Sequence, residues 1–257
     1  MKKIILFMMV ILSTTFAHAA IKSENIEYKD GDTVLEGYLV YDDAVTEKRP
    51  GIIVVHNWMG FGPSANKKAE DLAQLGYVAL AVDIYGKGVR PKNTDEAAMQ
   101  ATIYKSDRAL LRKRALAGLN VLMSNPLVDT NRLVALGFCF GGTTALELAR
   151  SGAPLAGVVS FHGGLSTPHP EDAKNIKAKI LVLHGADDPY VVDSEVRDFR
   201  KEMTDAKVDW QMVYYSNAVH SFTDQSAGTD NSKGAAYNEK ADKRSWEAMK
   251  EFFSEIF

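Results

Sequence analysis

"RLVALGFCFGGTTALELAR", residues 132–150, is the stretch that decides the fold. Its first part, "RLVALGF" (132–138), carries the unbroken apolar run of a strand buried on both faces of a parallel sheet. From about Phe140 to Ser151 the apolar residues take helical spacing. Between the two lies Cys139, the one cysteine among 257 residues. A buried filler would not need flanking glycines, and a disulfide would need a partner. A G-x-C-x-G nucleophile turn explains both features. Gly137 and Gly141 relieve crowding where strand and helix backbones approach, and the helix N-terminus favours a thiolate. The competing reading is a structural cysteine between chance glycines.

Working outward, "ENIEYKD-GD-TVLEGYLVYD" alternates apolar and polar residues around Gly31-Asp32 and reads as an antiparallel hairpin. Buried strands are expected at 51–57, 77–83, 154–163 and 178–185, with a further strand at 209–216. Helical spacing covers 67–76, a long stretch beginning "NTDEAAMQ" with Asn93 and Glu96 placed as a capping box, 193–204, and the closing segment 233–257. Strands alternating with helices after an antiparallel start imply an α/β protein: a mostly parallel sheet with helices on both faces. No linker-like stretch interrupts residues 24–257, so one domain over 20–257 is expected.

The ends of the chain bear on location. Met1-Lys2-Lys3 followed by "IILFMMVILSTTF" and Ala17-His18-Ala19 has the form of a secretory signal over residues 1–19, cleaved after Ala19 or Ala20. The apolar core is short for a membrane span, although a retained anchor helix is the other reading. Secretion would deliver the mature chain free of the membrane, to the periplasm if the host is a diderm bacterium. A net charge of −3 gives no basic footprint for nucleic acid, and short mixed runs such as "NKKAED" read as solvated helix faces. No clustered Cys/His pattern, H-E-x-x-H or acidic calcium loop is present, so no metal site is expected.

In a parallel sheet, ligands bind beyond the carboxyl ends of the strands. Those ends carry "HNW" (56–58), "DIYG" (83–86), "GFCFGG" (137–142), "FHGG" (161–164) and "HGADDPY" (184–190), followed by "NAVHSF" (217–222). A thiol nucleophile needs a base, and the base needs an orienting acid, in the chain order nucleophile, acid, histidine. His220 is the only histidine after His184, and Asp188 is the acid, with Asp187 as its alternative. The Phe140 and Trp58 amides are the expected oxyanion donors. His56 is read as a structural hydrogen-bonder. Asn57, Met59, Tyr85 and Tyr190, with Trp58 and Phe140, are candidates for the pocket wall or for ordinary core. His162 is a candidate for substrate contact or for a structural hydrogen bond.

The segments "GFCFGG", "GADDPYV" and "VHSF", with "LGYVALAVDIYG" upstream, resemble the dienelactone hydrolase family of α/β-hydrolases over about residues 24–257. The resemblance implies an α/β-hydrolase fold, a Cys139–His220–Asp188 triad, a thioester acyl-enzyme, no cofactor, and a small-molecule ester or lactone substrate. Two positions depart from the family pattern. Asn57 stands where characterised members carry a glutamate that partners the thiol, so direct activation by His220 is expected. Asp224 stands where they carry a carboxylate-binding arginine. A carboxylate there opposes an anionic lactone by a few kcal/mol in a dry site, roughly. Arg90, in the loop-like "GKGVRPKN", is a candidate compensating cation. The other functional readings are a redox-active thiol, which would lack a resolving cysteine, and a non-catalytic relative that binds a ligand.

Overall fold

A computed structural model describes residues 21–257; the expected signal at 1–19 lies outside the described residues. The chain runs β1 (Ile21–Asp30), β2 (Thr33–Asp42), β3 (Arg49–Val55), α1 (Pro63–Gln74), β4 (Val78–Val82), α2 (Thr94–Ser106), α3 (Arg108–Met123), β5 (Val128–Phe138), α4 (Phe140–Arg150), β6 (Gly157–Phe161), β7 (Lys179–Gly185), α5 (Asp193–Asp205), β8 (Trp210–Tyr215) and α6 (Glu239–Ile256). The strands form one eight-stranded sheet in the order β1-β2-β4-β3-β5-β6-β7-β8. The β1/β2 and β2/β4 pairs are antiparallel, and every other pair is parallel.

The continuous apolar runs follow from helices on both faces. Successive strand side chains point to opposite sides. Ile53, Val55, Leu133 and Ala135 therefore join a core with Leu111, Leu119, Leu146 and Phe199 of α3, α4 and α5. Ile52, Val54, Val134 and Leu136 join a second core with Ala69 and Leu72 of α1 and Met249 and Phe253 of α6. Each fully buried leucine or isoleucine stabilises the fold by about 1.5–3 kcal/mol relative to exposure.

Several boundaries differ from the sequence reading, each for a local reason. α1 starts at Pro63, four residues early, because proline is preorganised for the first helical turn. β5 starts at Val128 because polar "DTNR" forms an irregularity where the register with β3 jumps from Pro50↔Asp129 to Gly51↔Leu133. The long helical stretch breaks at Asp107, which ends α2 and caps α3 by accepting from Leu110 N–H at 2.9 Å. The capping box is only partly formed. Asn93 accepts from Glu96 N–H at 2.9 Å, but the Glu96 carboxylate reaches Lys92 N–H, at 2.9 Å, rather than the cap's own amide. Lys233 ends a short 3-10 turn, and residues 234–238 are not helical. α6 waits for its cap Asn238, and the freed segment closes around His220, whose N–H donates to Gly234 O at 3.1 Å and whose carbonyl accepts from Ala236 N–H at 3.0 Å.

Candidate active site

β5 delivers Cys139 to the start of α4 through a turn that is strained at Cys139 and crowded around it. Cys139 has φ 54° and ψ −116°, a conformation that costs a non-glycine residue about 1–3 kcal/mol. A Cβ on Gly137 would sit 2.2 Å from the Gly141 backbone, and one on Gly141 would sit 2.2 Å from Val55 O. The flanking glycines are thus a steric requirement. Cys139 N–H donates to Phe161 O at 3.0 Å, tying the turn to β6.

Asp188 and His220 meet the thiol from two other segments. Asp188, with no exposed side-chain surface, accepts from His220 Nδ1 through Oδ2 at 2.8 Å and from Tyr190 N–H through Oδ1 at 2.9 Å. Asp187 is exposed, so of the two candidate acids the fold turns Asp188 onto the histidine. Burial by itself would push the Cys139 thiol up, but the charge and hydrogen bond of His220 outweigh it and hold the thiol below its usual value. Lys105 and the Phe140 N–H act in the same direction. Burial would likewise lower His220, yet the Cys139 charge and the bond to Asp188 raise it to about 10. The arrangement favours a thiolate beside an imidazolium.

The two expected oxyanion amides come from two segments, the start of α4 and the loop after β3. The Phe140 N–H, at the start of α4, favours the charged form of the Cys139 thiol. In the loop after β3, Asn57 Oδ1 accepts from Met59 N–H at 2.9 Å and Asn57 O from Gly60 N–H at 3.1 Å, leaving Trp58 N–H without an acceptor among the described residues. Tyr85 holds this loop by donating its hydroxyl to Trp58 O at 3.0 Å, and Tyr104 in turn donates to Tyr85 O at 2.9 Å. His56 sits beneath: its Nε2 accepts from Ile84 N–H at 3.2 Å and its Nδ1 donates to Asn57 O at 2.6 Å. Burial lowers His56 to about 4, so it is a neutral strut.

A cavity of about 590 Å³ opens at Cys139, and Asn57, Trp58, Met59, His162 and Asp224 are among its lining. The other proposed wall residues lie elsewhere. Phe140 is 1% exposed and packs its ring on Tyr85 and His56, and Tyr85 is itself 4% exposed, so both rings are core. Tyr190 is 60% exposed and covers the outer side of His220, ring centroids 5.4 Å apart, with its hydroxyl on Lys233 O. Arg90 does not supply a cation to the site. It pairs with Glu36 of β2 at 2.5 Å and lies over the Phe61 ring, in a loop pinned by Lys87 N–H to Val34 O at 2.9 Å. Asp224 accepts from Ser226 N–H at 2.9 Å and Ser226 Oγ at 2.6 Å.

Most of the lining residues escaped the sequence reading, Phe138, Thr223 and Lys68 among them. Phe138 was visible inside the Cys139 motif. Thr223, three residues after His220, had no distinguishing signal. Lys68 was read as part of a solvated helix face, but its Nζ lies 5.4 Å from the Phe138 ring centroid and 5.1 Å from that of Trp246. A larger cleft of about 770 Å³, between α5 and the loop after β6, includes none of Cys139, Asp188 and His220.

Known proteins repeat this architecture. The chain is 43% identical to the solved structure of m3DLH, with a TM-score of 0.89 over 93% of this chain and 99% of that one. It is 42% identical to a dienelactone hydrolase-like promiscuous phosphotriesterase, P91, from metagenomic libraries, with a TM-score of 0.87 over the same shares, 93% and 99%. A Bradyrhizobium protein named "Probable 2-oxo-3-(5-oxofuran-2-ylidene)propanoate lactonase" is 30% identical over 69% of this chain and 75% of its own. The family model for the dienelactone hydrolase family matches residues 35–257, and the chain, with its α/β-hydrolase sheet and Cys139 turn, belongs to that family.

Proposed function

We propose that this protein hydrolyses ester and lactone bonds with Cys139 as nucleophile, His220 as acid and base, and Asp188 as the orienting carboxylate. The observation that carries the reading is the buried contact of Asp188 with His220 beside a thiol whose pKa that same histidine lowers. The thiolate attacks the carbonyl carbon, and the developing oxyanion is received by the Phe140 and Trp58 N–H groups. His220 gives its Nε2 proton to the leaving oxygen as the tetrahedral intermediate collapses to a thioester. A water molecule, deprotonated by His220, then attacks the thioester and releases the acid, and the proton returns to the thiolate–imidazole pair. Asn57 takes no proton in this scheme; its side chain is occupied in shaping the Trp58 turn.

Neutral esters and lactones suit the wall best. Among the described residues no arginine lines the cavity; its two lysines, Lys67 and Lys68, share the wall with Asp71, Asp224 and Asp242, Lys67 is paired with Asp71 at 2.5 Å, and Arg90 outside it is paired with Glu36. The leader-like residues 1–19 support a role outside the cytoplasm, periplasmic in a diderm host, for a single hydrolase domain over 20–257.

The test is turnover of short aryl esters, neutral lactones, dienelactone and a neutral aryl phosphotriester by the chain from residue 21 and by Cys139→Ala. Cysteine-dependent turnover of the neutral esters, with a Cys139 acyl adduct by mass spectrometry, is expected. Undiminished turnover in Cys139→Ala would overturn the nucleophile assignment, and efficient dienelactone opening would overturn the substrate preference. The phosphotriester is included because P91, at 42% identity, is described as acting on that class.

A further inference from the structure

We propose that His162 and Thr223 form a positioning pair that aims His220 at the thiol. The inference rests on the reading of Cys139 and His220 given above. His162 leaves the end of β6 with φ 40°, a left-handed conformation rare for a non-glycine residue. Its N–H donates to Leu183 O of β7 at 2.8 Å, one residue after Phe161 O accepts from Cys139 N–H. The Phe161–His162 dipeptide thereby bridges the strand of the nucleophile and the strand that leads to the acid. The turn buries the imidazole to 2% exposure, sets Nε2 at 2.8 Å from Thr223 Oγ1, and lays the ring 5.2 Å from that of His220 at an interplanar angle of 66°. Phe222 closes the remaining side at 5.0 Å.

The loop that carries His220 needs such a hold. Ser221, the next residue, has φ 58°, so no regular structure fixes the backbone there. The Gly234–Ala236 segment clasps His220 through its main chain, and the His162–Thr223 bond anchors the loop three residues on. His162 Nδ1 is already buried without a partner, so losing the Thr223 hydroxyl would orphan both ring nitrogens. The ring would then turn away from its place against His220 in search of a partner. As it stands, burial, with the charges of His220, Lys68 and His184, holds His162 well below the usual histidine range and therefore neutral. The other groups facing the reacting pair are Asp188 and the Tyr190 ring on His220, and Lys105 and Tyr85 near the thiol.

The experiment compares Thr223→Val, which keeps the shape and removes the hydroxyl, with Thr223→Ser, which keeps the hydroxyl. The readouts are kcat and KM on an aryl ester and the pH dependence of Cys139 alkylation by iodoacetamide. For Thr223→Val, kcat should fall by roughly 10- to 100-fold with KM little changed, and the alkylation profile should move to higher pH by about one unit. Thr223→Ser should stay within about threefold of the unaltered protein on both readouts. His162→Asn, a residue tolerant of positive φ, should match Thr223→Val and serves where the valine variant folds poorly. Cys139→Ala and His220→Ala run beside them and should be inactive. Unaltered kcat and alkylation in Thr223→Val or His162→Asn beside an inactive His220→Ala would overturn this inference alone, as would a Thr223→Ser as impaired as the valine variant. Turnover surviving in His220→Ala would overturn the site reading and this inference together.

Discussion

Replacing Asp188 with asparagine tests the centre of the mechanism, because the structure dictates how the amide must sit. Oδ1 of Asp188 accepts from Tyr190 N–H at 2.9 Å, and a main-chain donor cannot become an acceptor. The asparagine oxygen must therefore take that place, which turns its NH2 group toward His220 Nδ1, 2.8 Å away in the native contact. Nδ1 then has to accept, so the single proton of a neutral imidazole moves to Nε2, the nitrogen that should receive the thiol proton. An imidazolium would set two donors against each other in a buried site. The pKa of His220, now raised to about 10, would fall toward its ordinary value near 6.5 or below, a loss of about 5 kcal/mol at 1.36 kcal/mol per unit. Part of that shift belongs to the Cys139 charge, so about half of it, or roughly a hundredfold in kcat/KM, is the smallest loss expected. The tautomer error in serine triads costs about 10⁴, which sets the upper end. The assay is kcat/KM on an aryl ester, with thermal unfolding to show that the variant is folded and iodoacetamide alkylation at pH 6 to report the thiolate. Asp187→Asn, at the exposed neighbour, should leave kcat/KM unchanged. A folded Asp188→Asn within threefold of the unaltered protein, roughly 0.7 kcal/mol, would refute the reasoning.

Gly141→Ala should lower the melting temperature sharply and cost roughly 2 kcal/mol or more of stability by denaturant unfolding, since its Cβ meets Val55 O at 2.2 Å. Tyr85→Phe removes the hydroxyl that holds Trp58 O at 3.0 Å, so kcat should fall roughly 5- to 10-fold with KM nearly constant; an unchanged kcat would show that the oxyanion loop holds itself. The fold should also weaken in mild acid. His56 is neutral in the folded protein down to about 4 but protonated in the unfolded chain below about 6.5, so the unfolded state binds more protons between those values. Stability should fall as pH drops through that window, by up to about 3 kcal/mol from His56, and denaturant titrations at pH 7 and 5.5 measure the slope.

Much of the fold was legible from residues 132–150 outward. A strand buried on both faces must be apolar throughout, a hairpin facing water on one side must alternate, and these constraints act within a few residues of sequence. The Cys139 turn was legible for the same reason, because the close approach of α4 to β5 demands glycine at 137 and its close approach to the end of β3 demands glycine at 141. The chain order of the three triad candidates was also readable, and it singled out His220 because no other histidine follows His184. Between Asp187 and Asp188 sequence spacing gave a preference, and the tight turn after β7 turned one inward and one to water.

The cavity wall was not legible, since a side chain's neighbours there come from segments far apart in the chain. Arg90 looked like a free cation until β2 brought Glu36 to it, 54 residues away in sequence. Lys68 looked solvated until α1 packed it over Phe138 and Trp246. Residues 234–238 had been read as helix, but main-chain bonds to His220 and Phe222 drew them into an extended clasp that local propensity cannot signal. What the sequence determined by itself was which groups could react and the order in which they are threaded. Which of them face each other, which are neutralised and which oxygen accepts from which nitrogen was decided by tertiary packing, because hydrogen bonds and charges act across a few ångströms of space and take no account of separation along the chain.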